Sequence, residues 1–160
     1  MKNSVLIKPA SEKDIADIIF FINKLAEYEN LSDKVQLNEK ELKKWLFDEK
    51  KAEVVFAAVN GIKVGFALYF TNFSTFLGKP GLYLEDLYVL EEFRHKGVGK
   101  TILKYLCSKA MQCGYGRVEW SCLNWNKPSI DFYLNMGAEA LNDWTVYRLE
   151  GQCLASLGDK

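Results

Sequence analysis

The sequence predicts an α/β (α+β) protein: a mixed, mainly antiparallel sheet flanked by helices. Three observations lead there. Residues 53–59 and 63–71 are rich in β-branched and aromatic side chains and meet at Asn60 and Gly61, the strongest short-range signal for a hairpin. Residues 82–90, an amphipathic stretch from Val98, and residues 118–123 follow as strand, helix, strand, which is the signature of a crossover between parallel strands. Ile15, Ile18, Ile19, Ile22, Leu25 and Ala26 recur at helical spacing and supply a face to cover the sheet.

In chain order, residues 4–8 read as an edge strand. Pro9 and Ser11 then mark a helix start, with Asp14 at the spacing of a capping box. That helix closes in Glu27, Tyr28, Glu29 and Asn30, whose glutamates read first as a solvated helix end. A second helix, capped by Asn38 with Glu41 three residues on, is expected to bury Leu42, Trp45 and Leu46. After the hairpin, a loop through Gly78, Pro80 and Gly81 leads into the central strand. Gly114 and Gly116 end the following helix. Pro128 opens another helix that stops at Gly137, and a last strand over 145–149 and a polar tail complete the pattern. No repeat or linker interrupts it, so residues 1–160 are expected to form a single domain.

The charges balance at 21 basic and 21 acidic residues, so no net field draws the chain to nucleic acid or to an anionic membrane. No apolar run approaches the ~20 residues of a membrane span, and the N-terminus has no signal-type segment. A soluble, cytoplasmic protein without nucleic-acid or membrane partners is expected. Cys107, Cys113, Cys122 and Cys153 show no metal-ligand spacing, and with one histidine in the chain no metal site is expected.

The chemistry concentrates in residues 84–104. Glu85 and Asp86 interrupt an apolar strand, where aspartate is disfavoured, so something other than folding favours them. Arg94, His95 and Lys96 lead into Gly97 and Gly99 and then into a helix carrying Val98, Ile102, Leu103, Leu106 and Ala110 on one stripe. Such a turn offers backbone N–H groups and a helix N-terminus to an anion. It is not a Walker loop, because Arg94 stands where the first glycine belongs. Nor is it a dinucleotide fingerprint, because Ile102 stands where the third does. What remains is Arg-x-x-Gly-x-Gly between a strand and a helix.

With that loop, the stretches IKPASEKD, LAEYENLSD, YLEDLYVLEEFRHKGVGK and NWNKPSIDFYLNMGA, in this order across almost the whole chain, resemble the diamine (spermidine/spermine) N-acetyltransferases of the GNAT superfamily. LAEYENLSDKV is most similar to their thialysine N-epsilon-acetyltransferase subgroup. The resemblance implies the acyl-CoA N-acyltransferase fold, acetyl-CoA as cosubstrate, a small cationic amine as acceptor and a homodimer. It further implies that Leu87, Tyr88 and Val89 pair their backbone with the pantetheine arm. Arg94, His95, Lys96, Gly97, Val98, Gly99 and Lys100 would bind the pyrophosphate. Asn126, Ser129 and Tyr133 would lie near the CoA arm, with Tyr133 as proton donor, and Tyr28, Glu29, Glu85 and Asp86 would surround the amine.

Independent chemistry fits these roles. A lysine-like amine, with a pKa of ~10.4, arrives protonated and must lose a proton before it can attack a thioester, and Glu85 is the expected base. The departing thiolate, with a conjugate acid near ~8.5, needs a proton, which a tyrosine hydroxyl can give. A backbone N–H near Leu87 is suited to the developing oxyanion. On periodicity alone Tyr133 reads equally as a core aromatic, and His95 as an exposed loop residue. The segment between Gly137 and Trp144 is short and offers only Asn142 or Asp143 where the diamine enzymes carry an acid, which favours a shorter amine or a lysine analogue. A protein acetyltransferase and a non-catalytic acyl-CoA-binding module are the competing readings.

Overall fold

Asn60 and Gly61 both adopt left-handed backbone, with φ of 50° and 82°, as a two-residue hairpin turn matched to strand twist requires. They join β2 (Glu53–Val59) to β3 (Ile62–Ser74). The computed structural model describes residues 4–158, and around this hairpin it forms a five-stranded sheet in the order β1-β2-β3-β4-β5. β1 (Val5–Pro9) is an edge strand, as its sequence predicts. β1 to β4 (Lys79–Val89) pair antiparallel, and β5 (Val118–Trp120) pairs parallel to β4 after the crossover helix α3 (Val98–Gln112). The mixed, mainly antiparallel sheet is therefore present.

Each face has its own helical cover. Helix α1 (Ile15–Glu29) and α2 (Glu39–Lys43), which continues as a π-helical turn over Lys44–Asp48, pack Ile18, Phe21 and Leu46 against Val54, Phe56, Phe66 and Tyr88. Gly65, next to Phe66 and so facing the other way, lies against Ile102 of α3. The five residues of the α3 stripe are all buried. Burying that stripe removes several full aliphatic side chains from water at roughly 1.5–3 kcal/mol each, which is what holds the crossover helix to the sheet.

The caps follow the sequence closely. Ser11 and Asp14 form the capping box, and Asn38 Oδ1 accepts from Glu41 N at 3.0 Å. Asn30 closes α1 in left-handed backbone at φ 58°, and Gly137 at φ 90° follows the last residues of α4 (Lys127–Asn135).

Five expectations need correction. Pro80 and Gly81 lie inside β4 rather than in a loop before it, paired with Phe73 and Asn72. Trp45 is 43% exposed, its ring occupied by Lys44 on the surface instead of the core. The strand at 118–123 is cut to three residues. The strand expected over 145–149 does not form: a strand exists only where another pairs with it, and among the described residues none pairs with this stretch. Trp144, Val146, Tyr147 and Leu149 are exposed there. A helix, α5 (Gly151–Gly158), takes the place of the polar tail.

The chain forms two compact units, one up to Ser121 and one from Cys122 onward. The first contains the sheet, α1, α2 and α3. The second contains α4 and α5.

Candidate active site

The β3–β4 register builds the acidic part of the site. Tyr69 is opposite Leu84 and Leu68 opposite Asp86, so Glu85 has no partner and forms a β-bulge. One consequence is that the two adjacent carboxylates have separate surroundings. Glu85 is exposed, whereas Asp86 shares a face with Leu68 and with the α1 core cluster. Burial pushes the Asp86 carboxyl up to about 7, and the neighbouring charges of Glu85 and Glu29 push in the same direction. Glu29, in the last turn of α1, is itself raised by burial. The structure thus brings together three of the predicted acceptor residues, Glu29, Glu85 and Asp86. Asp86 is the carboxyl that burial brings near neutrality. Among the described residues no group of His, Cys, Asp and Glu could hold a metal ion.

Tyr28 stands beside this corner, its ring 6.3 Å from that of Tyr88. Arg94 lies over both rings, its guanidinium 4.7 Å from Tyr28 and 5.3 Å from Tyr88, and its Nε donates to the Val89 carbonyl at 3.0 Å. Arg94 therefore ties the end of α1, β4 and the basic turn together, a role beyond the pyrophosphate contact that its place in the motif implies. Spacing in the sequence could not reveal this, because Tyr28 and Arg94 meet only after the sheet and α1 pack.

The turn itself is built for close approach. His95 and Gly97 are left-handed at φ 59° and 84°, and Gly97 is the residue before α3. The first N–H groups of that helix precede any intrahelical acceptor, and His95, Lys96 and Lys100 are exposed around them. β5 covers only Leu82, Leu84 and the residue between them, so among the described residues no strand pairs with the outer edge of β4 from residue 85 to 89. That edge carries Leu87, Tyr88 and Val89. An open strand edge running into a glycine turn and a helix N-terminus fits a long pantetheine arm ending in phosphates.

In the second unit Asn126 caps α4, its Oδ1 accepting from Ser129 N at 3.3 Å. Asn126 is buried. Tyr133 is half-buried on the same helix, its ring 5.3 Å from that of Phe132.

The sheet with its open β4 edge, the glycine turn and the acidic corner have the arrangement of an acyltransferase. Residues 19–138, well over half of the chain, match the model of the acetyltransferase (GNAT) family, and the chain belongs to that family. It is 36% identical over 169 residues to the thialysine N-epsilon-acetyltransferase of Sus scrofa, covering 98% of this chain and 99% of that one. It is 41% identical over 96 residues to the L-ornithine N5-acetyltransferase NATA1 of Arabidopsis thaliana, covering 60% of this chain and 42% of that one. Among solved structures, an integron cassette protein from the mobile metagenome of V. cholerae superposes with a TM-score of 0.82 at 26% identity, covering 98% of this chain and 99% of that one. An aminoglycoside acetyltransferase from a soil metagenome superposes at 0.77 with 20% identity, over 91% and 97% of the two chains, and shares the fold. The chain is thus an acetyltransferase. No helix among the described residues is long and apolar enough to cross a membrane.

Proposed function

We propose that this protein transfers the acetyl group of acetyl-CoA to a primary amine of a small cationic substrate by direct attack. The observation that carries this reading is the half-buried carboxyl of Asp86, held up to about 7 beside Glu29 and Glu85, at an open strand edge that leads to a basic glycine turn. The relatives named for thialysine and ornithine act on short amino-acid side-chain amines, and their names support the same acceptor class.

Glu29, Glu85 and Asp86 attract the ammonium, and one of them must take its proton. Moving a proton from an amine of pKa ~10.4 to an ordinary aspartate is uphill by roughly 9 kcal/mol, since each unit of difference is ~1.4 kcal/mol. With Asp86 at about 7 the climb is roughly half that. Asp86 is therefore a better proton acceptor than an unperturbed carboxylate, and Glu85 acts mainly by repelling charge from it and attracting the cation. Acetyl-CoA supplies the thioester. The freed nitrogen lone pair forms the new C–N bond, an N–H on the β4 edge near Leu87 meets the developing oxyanion, and the C–S bond breaks. Tyr133 gives its hydroxyl proton to the leaving thiolate. His95, Lys96, Gly97, Val98, Gly99 and Lys100 hold the phosphates, with Asn126 and Ser129 along the CoA arm. No covalent acyl-enzyme is needed.

The protein acts as a single catalytic domain in the cytoplasm, and it works as a homodimer. The exposed apolar stretch of Trp144, Val146, Tyr147 and Leu149 supports association with a second copy. Sedimentation that gives a monomer mass at every concentration would remove the dimer. For the activity, acetyl-CoA is incubated with spermidine, spermine, thialysine, lysine or a lysine-containing peptide, and thiol release is followed. Thialysine or lysine should outpace both the long polyamines and the peptide. Thiol release with the peptide alone would point to a protein acetyltransferase instead.

A further inference from the structure

The bulge at Glu85 has a second effect on the α1 side of the sheet. Leu68 is opposite Asp86, and Phe70, two residues along β3 and so on the same face, is opposite Tyr83. Tyr83 and Asp86 are three residues apart and would face opposite ways in a regular strand; the extra residue puts them on one face. The Phe70 and Tyr83 rings lie 5.2 Å apart, tilted by 31°, and both are half-buried. Neither belongs to the cluster under α1, which reaches along β3 only to Leu68. The Tyr83 hydroxyl is hydrogen-bonded to Ser121 Oγ at 2.9 Å, which fixes the ring. Beyond the pair, Glu119 is already neutralised: Arg117 Nε is 2.7 Å from its Oε2, and Asn72 Nδ2 donates to the same oxygen at 3.1 Å. The face therefore runs from a carboxylate corner, over two rings, to a carboxylate that has its partners.

We propose that Phe70 and Tyr83 form the subsite for the carbon body of the acceptor, and that they favour an amine whose body next to the reacting ammonium is apolar or aromatic over a polyamine. This rests on the acceptor reading given under Proposed function. The ammonium goes to Asp86, Glu29 and Glu85, and the atoms attached to it lie across the two rings, which reward apolar or aromatic surface. A second ammonium laid there gives up hydration where the carboxylate opposite Tyr83, Glu119, is already paired.

The test uses the full chain with phenethylamine, putrescine and spermidine, in the wild type and in Phe70→Ala, Phe70→Leu and Tyr83→Phe, with circular dichroism to confirm folding. Phe70→Ala should raise KM for phenethylamine about tenfold, the usual scale of a lost aromatic contact. It should change KM for putrescine by less than about threefold and leave kcat and the acetyl-CoA Kd unchanged. Phe70→Leu should recover part of the loss, and Tyr83→Phe, which keeps the ring, should have the smallest effect. An equal KM change for all three amines, or none, overturns the subsite. If the wild type turns over no amine, the acceptor reading fails. Calorimetry of phenethylamine then decides the subsite separately: binding weakened about tenfold in Phe70→Ala keeps it, and no binding to the wild type removes it.

Discussion

The acidic corner and the basic turn lie at opposite ends of one short path along β4, and they do their work by different means. At the corner, side chains and burial matter: Asp86 is displaced from the ordinary range because water is excluded and like charges are close. At the turn, backbone matters: His95 and Gly97 bend left-handed so that the N–H groups opening α3 become available. The difference teaches that a carboxylate can be replaced almost isosterically and its charge tested alone, whereas the turn is tested by changing which backbone angles are allowed.

The largest effect is expected from Asp86→Asn, which keeps the shape and removes the proton acceptor. Turnover should fall by ~100-fold or more, the usual size of a general-base contribution, with acetyl-CoA affinity little changed. The same variant should be more stable than wild type at pH 8. Because the Asp86 pKa is raised on folding from 3.8 to about 7, the native state holds a proton that the unfolded state has lost. Stability contributed by this group therefore falls as pH rises from about 4 to about 7. Above that the cost of ionised Asp86 is on the order of 4 kcal/mol. Denaturant midpoints for the two proteins should converge near pH 4 and separate at pH 8. Equal midpoints at both pH values would mean that Asp86 is not held up by its surroundings.

Next in size, Tyr133→Phe should lower turnover by ~100-fold while leaving acetyl-CoA binding nearly intact, since only the hydroxyl is lost. Wild-type turnover in this variant would end the proton-donor role. At the other end of the comparison, Gly97→Val should leave the amine site alone and weaken acetyl-CoA binding by roughly 10- to 100-fold. A Cβ at Gly97 meets nothing within 4 Å, so the penalty comes from φ 84°, at ~1–3 kcal/mol for a residue that avoids this region. Unchanged affinity in calorimetry would take the turn out of the binding site. The smallest effect is expected from Arg94→Lys, which keeps the charge and loses the planar stack on Tyr28 and Tyr88 and the Nε bond to Val89. It should cost about 1–2 kcal/mol of stability in denaturant titration and change acetyl-CoA affinity only a few-fold.

Elements governed by local rules were legible in the sequence. The Asn60–Gly61 turn, the Ser11–Asp14 box, the Asn38 cap and the α3 stripe depend on neighbours within a few positions, and each is present. The acidic pair was conspicuous because Asp86 has no local reason to be in a strand. Which of the two carboxylates is perturbed was not legible, because that depends on a bulge defined by β3 pairing and on the approach of Glu29 from α1. The stacking of Arg94 and the alignment of Phe70 with Asp86 are likewise products of register. The stretch 145–149 failed as a strand for the complementary reason: its composition suits a sheet, but a strand is completed by a partner that the sequence pattern does not name.

The most direct test of the account is the pH dependence of kcat/KM for Glu85→Gln beside wild type, with a short amine as acceptor. If Asp86 is the proton acceptor and Glu85 raises its pKa, wild type should lose activity as pH falls through about 7. In Glu85→Gln that acid limb should move to lower pH, while the plateau above it stays within roughly tenfold of wild type. An unmoved limb with a plateau lowered ~100-fold or more would make Glu85 the base and contradict the account.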